Sequence, residues 1–233
     1  MAAEAECVID GGARVPDSGR VTGIDACRGG WVAVTLRDGL LESVRTERTL
    51  AAVIEGAPGV VGIDMPLGFA DGRWRPCDRL ARTLLGPRRA SVFSIPPLPV
   101  WECATYREAN QRCRDITGNG LSAQAWGLRA KLLEANRCRM PGRQMFEVHP
   151  ELSFASLAGG PLPLSKHCAS GLALRREVLT RAGIVLPGDA VGADVLDAAA
   201  AAWSAWRIAR GEARVLPDPP DTGADGLELA IRY

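Results

Sequence analysis

Acidic residues stand at the ends of two apolar runs and as a pair in a third segment. Asp25 lies near the end of RVTGIDAC and Asp64 near the end of VVGIDM. Asp194 and Asp197 are three residues apart, so a helix there would carry both on one face. Buried carboxylates are costly unless they are paired or bound to metal. The pattern predicts a carboxylate cluster for Mg²⁺ or Mn²⁺, where two ions about 4 Å apart can activate water and stabilise a leaving oxygen.

Each of these acids also has a local alternative role. Asp25 could cap the glycine turn that follows it, and Asp64 could cap the loop before Pro66. Asp194 could cap the start of its helix. Taken together, the acids favour one shared cluster over three separate local roles.

A further candidate pair lies in the segment FEVHPE. Glu147 falls on another predicted strand and would be a fifth acid near the cluster. His149 is a catalytic candidate because of its place beside Glu147. The chain has only two histidines, which argues against a histidine-rich zinc site.

Positive charge is concentrated in one segment, although the whole chain has a net charge of only +1. Residues 71–91 contain six arginines and two aspartates. Arginine binds phosphate through a planar fork of donors, so this segment is a candidate clamp for a phosphate backbone. The alternative is a solvated surface. The residues expected to contact substrate are Arg28, Arg79, Arg82, Arg88, Arg89 and Lys166.

Hydrophobic periodicity and turn signals predict the elements that position these residues. A strand at 20–27, a second strand and a third after the Asp38-Gly39 turn form an antiparallel meander. The later elements are a short helix, a buried parallel strand at 60–65, helices at 103–116 and 122–139, a strand at 144–149, and helices at 172–182 and 191–210.

This order predicts an α/β fold, an RNase H-like mixed sheet in which parallel strands extend the antiparallel three-strand meander. Helices should cover both faces. We expect one domain at 20–233, with an Arg-rich helical insertion at about 67–142, and a flexible tail at 1–19.

Cysteine usage and hydropathy indicate the cellular compartment. The seven cysteines include no C-x-x-C pair, which argues against a disulfide framework or a zinc knuckle and for reduced thiols. The sequence shows neither a signal peptide nor a run long enough to span a bilayer. We therefore expect a cytoplasmic protein with no membrane partner.

Six segments of the chain together resemble one bacterial family, the domain of unknown function 429 family. In chain order they are GIDACRGGWVAV, VVGIDMPLGF, CDRLARTLLGPRRASVF, LSAQAWGLRAKLLEANR, FEVHPELSF and DVLDAAAAAWSAWR. The resemblance covers almost the whole chain from residue 20 onward. It implies an RNase H-like fold and a nuclease activity, close in outline to the RuvC-type resolvases.

The resemblance also implies roles for the matching acids. Asp25 would be the metal ligand of the first strand, and Asp64 the second carboxylate. Asp194 and Asp197 would be the acids of the last helix. The family often has two adjacent acids at the start of this helix, whereas here Ala193 precedes Asp194. If the missing acid is a ligand in the family, the metal affinity of this chain is reduced.

By the same resemblance, Glu147 and His149 would ligate the metal, act as a general base or support the ligands. The leading hypothesis is a Mg²⁺- or Mn²⁺-dependent nuclease that hydrolyses phosphodiester bonds in nucleic acid, with a homodimer as its candidate assembly. One alternative is an RNase H-like module that binds nucleic acid or phosphate without turnover. A less favoured alternative is an actin-like ATPase or sugar kinase, in which a glycine is required where this chain has Cys27.

Overall fold

The computed structural model describes residues 19–188 and 191–233, so nearly all of the predicted N-terminal tail lies outside the described residues. The first elements are β1 (Arg20–Cys27), β2 (Gly30–Arg37), β3 (Leu40–Glu47), α1 (Leu50–Glu55) and β4 (Val60–Asp64). Asp38 and Gly39 both have positive φ, at 51° and 81°. These are the angles of a two-residue hairpin turn, and they explain why β3 returns antiparallel to β2.

Residues 65–144, all of them described, contain helices and no strand. The elements are α2 (Pro76–Leu85), a 3-10 helix at Gly86–Ser91, α3 (Leu98–Trp101), α4 (Tyr106–Thr117), α5 (Ala123–Gly127) and α6 (Arg129–Cys138). The single helix predicted at 122–139 is therefore two helices. The break at Leu128 follows Gly127, a residue type with low helix propensity.

The last part of the chain returns to the sheet and ends in a separate ribbon. Its elements are β5 (Met145–Glu147), α7 (Pro150–Ala158), α8 (Ala169–Arg181), α9 (Ala193–Ala209), β6 (Val215–Thr222) and β7 (Glu228–Arg232). The helix α7 was not predicted from the sequence. It begins at Pro150, a residue suited to a first helical position. Among the described residues, no helix combines the length and apolar character needed to cross a bilayer.

The main sheet has five strands in the order β3-β2-β1-β4-β5. The pairs β1–β2 and β2–β3 are antiparallel, and the pairs β1–β4 and β4–β5 are parallel. The predicted α/β fold class, a three-strand meander extended by parallel strands with a helical insertion, is confirmed. In the parallel register Asp25 lies directly opposite Asp64.

Two hydrophobic cores lie on opposite faces of this sheet. On one face Ile24 and Ile63 pack with residues of α1 and of the inserted helices, including the fully buried Leu50 and Trp101. On the other face the strands pack against α7, α8 and α9. Because helices cover both faces, β1 and β4 are buried apolar strands, as their composition predicts.

The helix α9 lies unusually close to β1 and β4. A Cβ atom added at Gly23 would lie 2.0 Å from the backbone nitrogen of Ala202 and 2.1 Å from the carbonyl oxygen of Ala198. One added at Gly62 would lie 2.7 Å from the carbonyl oxygen of Ala201. The helix contributes alanines at this contact, so backbone packs almost directly on backbone. This contact fixes the position of every side chain that α9 presents to the sheet.

Replacing Gly23 by alanine tests this contact. The added methyl group would force α9 away from β1, and we expect Gly23→Ala to lower the free energy of unfolding by about 1–3 kcal/mol. Urea denaturation measures the change. The matched control is Gly127→Ala, since a Cβ there meets no atom within 4 Å and the site is helical. A Gly23→Ala variant as stable as the wild type would contradict the close packing.

Candidate metal centre

Three carboxylates meet where β1 and β4 end. Asp25 and Asp64 face each other across the parallel strand pair, and Asp197 reaches them from α9. One carboxylate oxygen from each residue lies within 4.8 Å of the others. Hard divalent cations prefer such oxygen donors. This acidic triad could therefore hold a metal ion.

The close packing of α9 decides which acid of its first turns joins the triad. Asp197 faces the sheet and is almost completely buried, at 1 % exposure. Asp194, one turn earlier, lies outside the triad. It lines an adjoining cavity, the acidic cleft, whose walls also include Asp25, Asp64 and Lys166. The helix is capped by Gly192, so Asp194 does not have the capping role considered as its alternative. Asp25 accepts a local hydrogen bond from the backbone nitrogen of Ala26, at 2.6 Å.

Burial makes the ionisation of these acids unfavourable. It raises the pKa of Asp64 to about 7 and that of Asp197 to about 6. It also raises the pKa of Asp25 well above its ordinary value, and the charges of Asp64 and Asp197 raise it further. Buried acids this close together gain most from a cation, because it compensates both the lost hydration and the mutual repulsion.

Lys166 supplies one positive charge inside the cluster. Its ammonium donates a hydrogen bond to Oδ2 of Asp197 and forms an ion pair with it. The sequence reading placed Lys166 among the substrate contacts. In the structure it lines the acidic cleft and contacts the triad itself.

Glu147 also lines the cleft, but it is paired with a buried arginine. The guanidinium of Arg75 lies between Asp78 and Glu147 and pairs with both. The backbone nitrogen of Leu67 donates to the second oxygen of Glu147 at 2.7 Å, and that of Ile95 donates to Asp78 at 2.8 Å. Glu147 is thus part of a buried ion network that fastens α2 to β5, and the structure does not bring it into the triad.

His149 lines the acidic cleft. Burial lowers its pKa, which favours the uncharged ring. Nε2 lies 3.3 Å from the carbonyl oxygen of Ser91, and Nδ1 is buried without a hydrogen-bond partner among the described residues. The His149 ring is thus part of the cleft wall, with Nδ1 enclosed by the protein.

Glu151 is a site residue that the sequence reading missed. It lies in the first turn of α7, is 6 % exposed and lines the acidic cleft. One oxygen pairs with the buried Arg175, and the other has no hydrogen-bond partner among the described residues. The sequence signal was Pro150, which marks a helix start and so places the next residue near the carboxyl ends of the strands.

The acidic cleft has a volume of about 560 Å³. It brings together most of the predicted site residues. Those that line it are Asp25, Asp64, Arg88, Glu147, His149, Lys166 and Asp194.

A larger, basic groove of about 1140 Å³ lies next to this cleft. Arginine side chains and two aromatic rings line it: Trp74, Arg79, Arg82, Arg89 and Phe93. Residues 90–93 form a wall common to the groove and the cleft, with Ala90, Val92 and Phe93 lining both. The groove and the acidic cleft therefore adjoin each other at this wall.

The predicted substrate-contacting arginines fall into three groups. Arg79 and Arg89 are exposed in the groove, and neither makes a side-chain hydrogen bond to another described residue. Arg82 also lines the groove, but its guanidinium donates to the carbonyl oxygens of Arg89 and Val92 and stabilises the common wall. Arg88 and Arg28 lie elsewhere: Arg88 lines the acidic cleft, whereas Arg28 is exposed at the β1–β2 turn, outside both clefts.

Comparison with known families gives one match. The family described as "Protein of unknown function (DUF429)" matches residues 23–222. This chain belongs to the DUF429 family. No curated protein and no solved structure matches it. The DUF429 match extends over all three triad acids and over both clefts, apart from Ile231 at the edge of the acidic cleft.

The raised pKa of Asp64 predicts that the metal-free protein becomes less stable as the pH rises. The folded chain retains a proton up to about pH 7 that the unfolded chain releases near pH 3.8, so this group lowers stability as the pH rises through that window. We expect Asp64→Asn to be more stable than the wild type at pH 8, with a smaller difference at pH 5. Thermal denaturation in EDTA measures this stability difference at pH 8 and at pH 5.

The control for this experiment is Asp71→Asn, which removes an exposed acid outside both clefts. Its Tm difference from the wild type should not change between the two pH values. An Asp64→Asn variant that is less stable than the wild type at pH 8 would contradict the expectation that the buried charge of Asp64 destabilises the metal-free protein.

Proposed function

We propose that this protein is a metal-dependent phosphodiesterase that cleaves nucleic acid with Mg²⁺ or Mn²⁺. The observation that carries the proposal is the triad of Asp25, Asp64 and the buried Asp197, two of whose members, Asp25 and Asp64, line a cleft that shares a wall with an arginine-lined groove. Acids that hold a cation and arginines that hold phosphates are the two parts that such a reaction requires.

The triad residues would hold the cation, and each has a carboxylate oxygen in reach. A bound divalent cation supplies charge neutralisation at the phosphate and lowers the pKa of water. Around it, Lys166 and Arg88 add positive charge to the cleft, and this charge favours entry of an anionic phosphodiester. His149 contributes an imidazole ring to the wall of the same cleft.

The basic groove would position the polymer. Arg79 and Arg89 are free to contact phosphates, because no other described residue binds their guanidinium groups. Trp74 and Phe93 present partly exposed rings in the same groove, on which unpaired bases can stack. A strand bound there would direct its backbone over the common wall to the triad.

One observation favours the alternative of a binding module without turnover. Lys166 already compensates part of the negative charge of the triad, which weakens its attraction for a metal ion. Such a module would bind nucleic acid through the groove and show no metal-dependent cleavage. The following two experiments distinguish the two functions.

Loss of a triad carboxylate should abolish cleavage. We expect Asp25→Asn and Asp64→Asn to lower the cleavage rate at least about 100-fold, because removing a ligand exceeds the usual effect of removing a group that only supports one. The measurement is Mn²⁺-dependent cleavage of a panel of single-stranded, duplex and branched DNA and of RNA. Asp71→Asn is the matched control and should retain the wild-type rate. Cleavage retained in both triad variants, or unaffected by EDTA, contradicts the mechanism.

Loss of a groove arginine should weaken binding in a salt-dependent way. We expect Arg79→Ala and Arg89→Ala each to reduce the slope of log affinity against log salt by about 1, since each removes one phosphate contact. Fluorescence anisotropy with a labelled single strand in EDTA measures the slope. Arg181→Ala, which removes an exposed arginine outside the groove and the cleft, is the control. Equal slopes in all variants would show that the groove does not hold the nucleic acid backbone.

A further inference from the structure

The acidic cleft contains a cationic side chain of its own. The ammonium of Lys166 donates a hydrogen bond to Oδ2 of Asp197 and forms an ion pair with it. Lys166 thus places one positive charge in direct contact with the triad.

A fourth buried carboxylate belongs to the same cleft. Glu151 is buried, lines the cleft and has one oxygen without a hydrogen-bond partner among the described residues. Arg175 pairs with its other oxygen and balances its charge, so Glu151 is left out of the charge count of the triad.

The charges of this cluster match one divalent cation. The three triad carboxylates, when ionised, carry three negative charges, and Lys166 carries one positive charge. The remaining two negative charges equal the charge of one Mg²⁺ or Mn²⁺ ion. A second divalent ion would bring an excess of positive charge beside the ammonium.

We propose that Lys166 takes the place of a second metal ion, so that the site binds a single divalent cation. This inference rests on the proposed metal-dependent function. It replaces the two-ion arrangement expected from the sequence with one ion and one ammonium group. Lys166 then supplies, beside Asp197, the charge that would otherwise come from the second ion.

Metal stoichiometry tests the inference without any assay of activity. The full chain, freed of metal with EDTA, is titrated with Mn²⁺ at pH 8, and free Mn²⁺ is followed by electron paramagnetic resonance. We expect the wild type and Lys166→Arg to bind one ion per chain. Lys166→Met should bind two ions, with the first bound about tenfold more tightly, because the competing positive charge is gone.

The chain offers a matched control, since it has only one other lysine. Lys131 is also partly buried, but it donates to the carbonyl oxygen of Gly30 and lies over the ring of Trp31. Lys131→Met should bind one ion, like the wild type. Circular dichroism establishes that each variant is folded, and Lys166→Gln replaces Lys166→Met if the latter does not fold.

The outcomes separate this inference from the proposed function. Two Mn²⁺ ions per wild-type chain, or a Lys166→Met variant with the stoichiometry and affinity of the wild type, would overturn the role of Lys166 and leave a metal-dependent function standing. No Mn²⁺ binding by the wild type and by every variant would overturn both.

Discussion

The contact between α9 and the two central parallel strands is the constraint on which the rest of the structure depends. Glycines in β1 and β4 and alanines in α9 allow backbone to approach backbone. A larger residue at either glycine would lift the helix and move Asp197 away from Asp25 and Asp64. The same contact closes one of the two cores. The packing of α9 against the sheet therefore determines the geometry of the site.

The distribution of arginines separates the buried acids into two kinds. Glu147 and Asp78 share Arg75, and Glu151 pairs with Arg175, so each of these acids has a buried arginine as its partner. The triad has no arginine partner among the described residues and a single lysine for three carboxylates. This uncompensated charge, held in place by tight packing, would favour binding of a cation and would make the metal-free protein less stable at high pH.

The sequence predicted the parts of the site that follow from strand direction and helical spacing. Asp25 and Asp64 end neighbouring parallel strands, so their meeting was predictable, as was the α/β sheet. The choice of Asp197 over Asp194 depends on how α9 is rotated against the sheet. The compensation of Glu147 depends on Arg75, which is 72 residues away in the chain. No local sequence pattern predicts the rotation of α9 or the pairing of Glu147 with Arg75. The cytoplasmic location, the homodimer and the nuclease activity stay predictions.

The three acids of the triad come from the beginning, the first third and the last part of the chain. A nascent chain emerging from the ribosome presents Asp25 and Asp64 long before α9 has been synthesised. Until then the two aspartates lie without Asp197, and β1 and β4 lack the helix that covers them. The enzyme proposed here would consequently be inert throughout its own translation, and a truncated product that ends before α9 would lack the complete site.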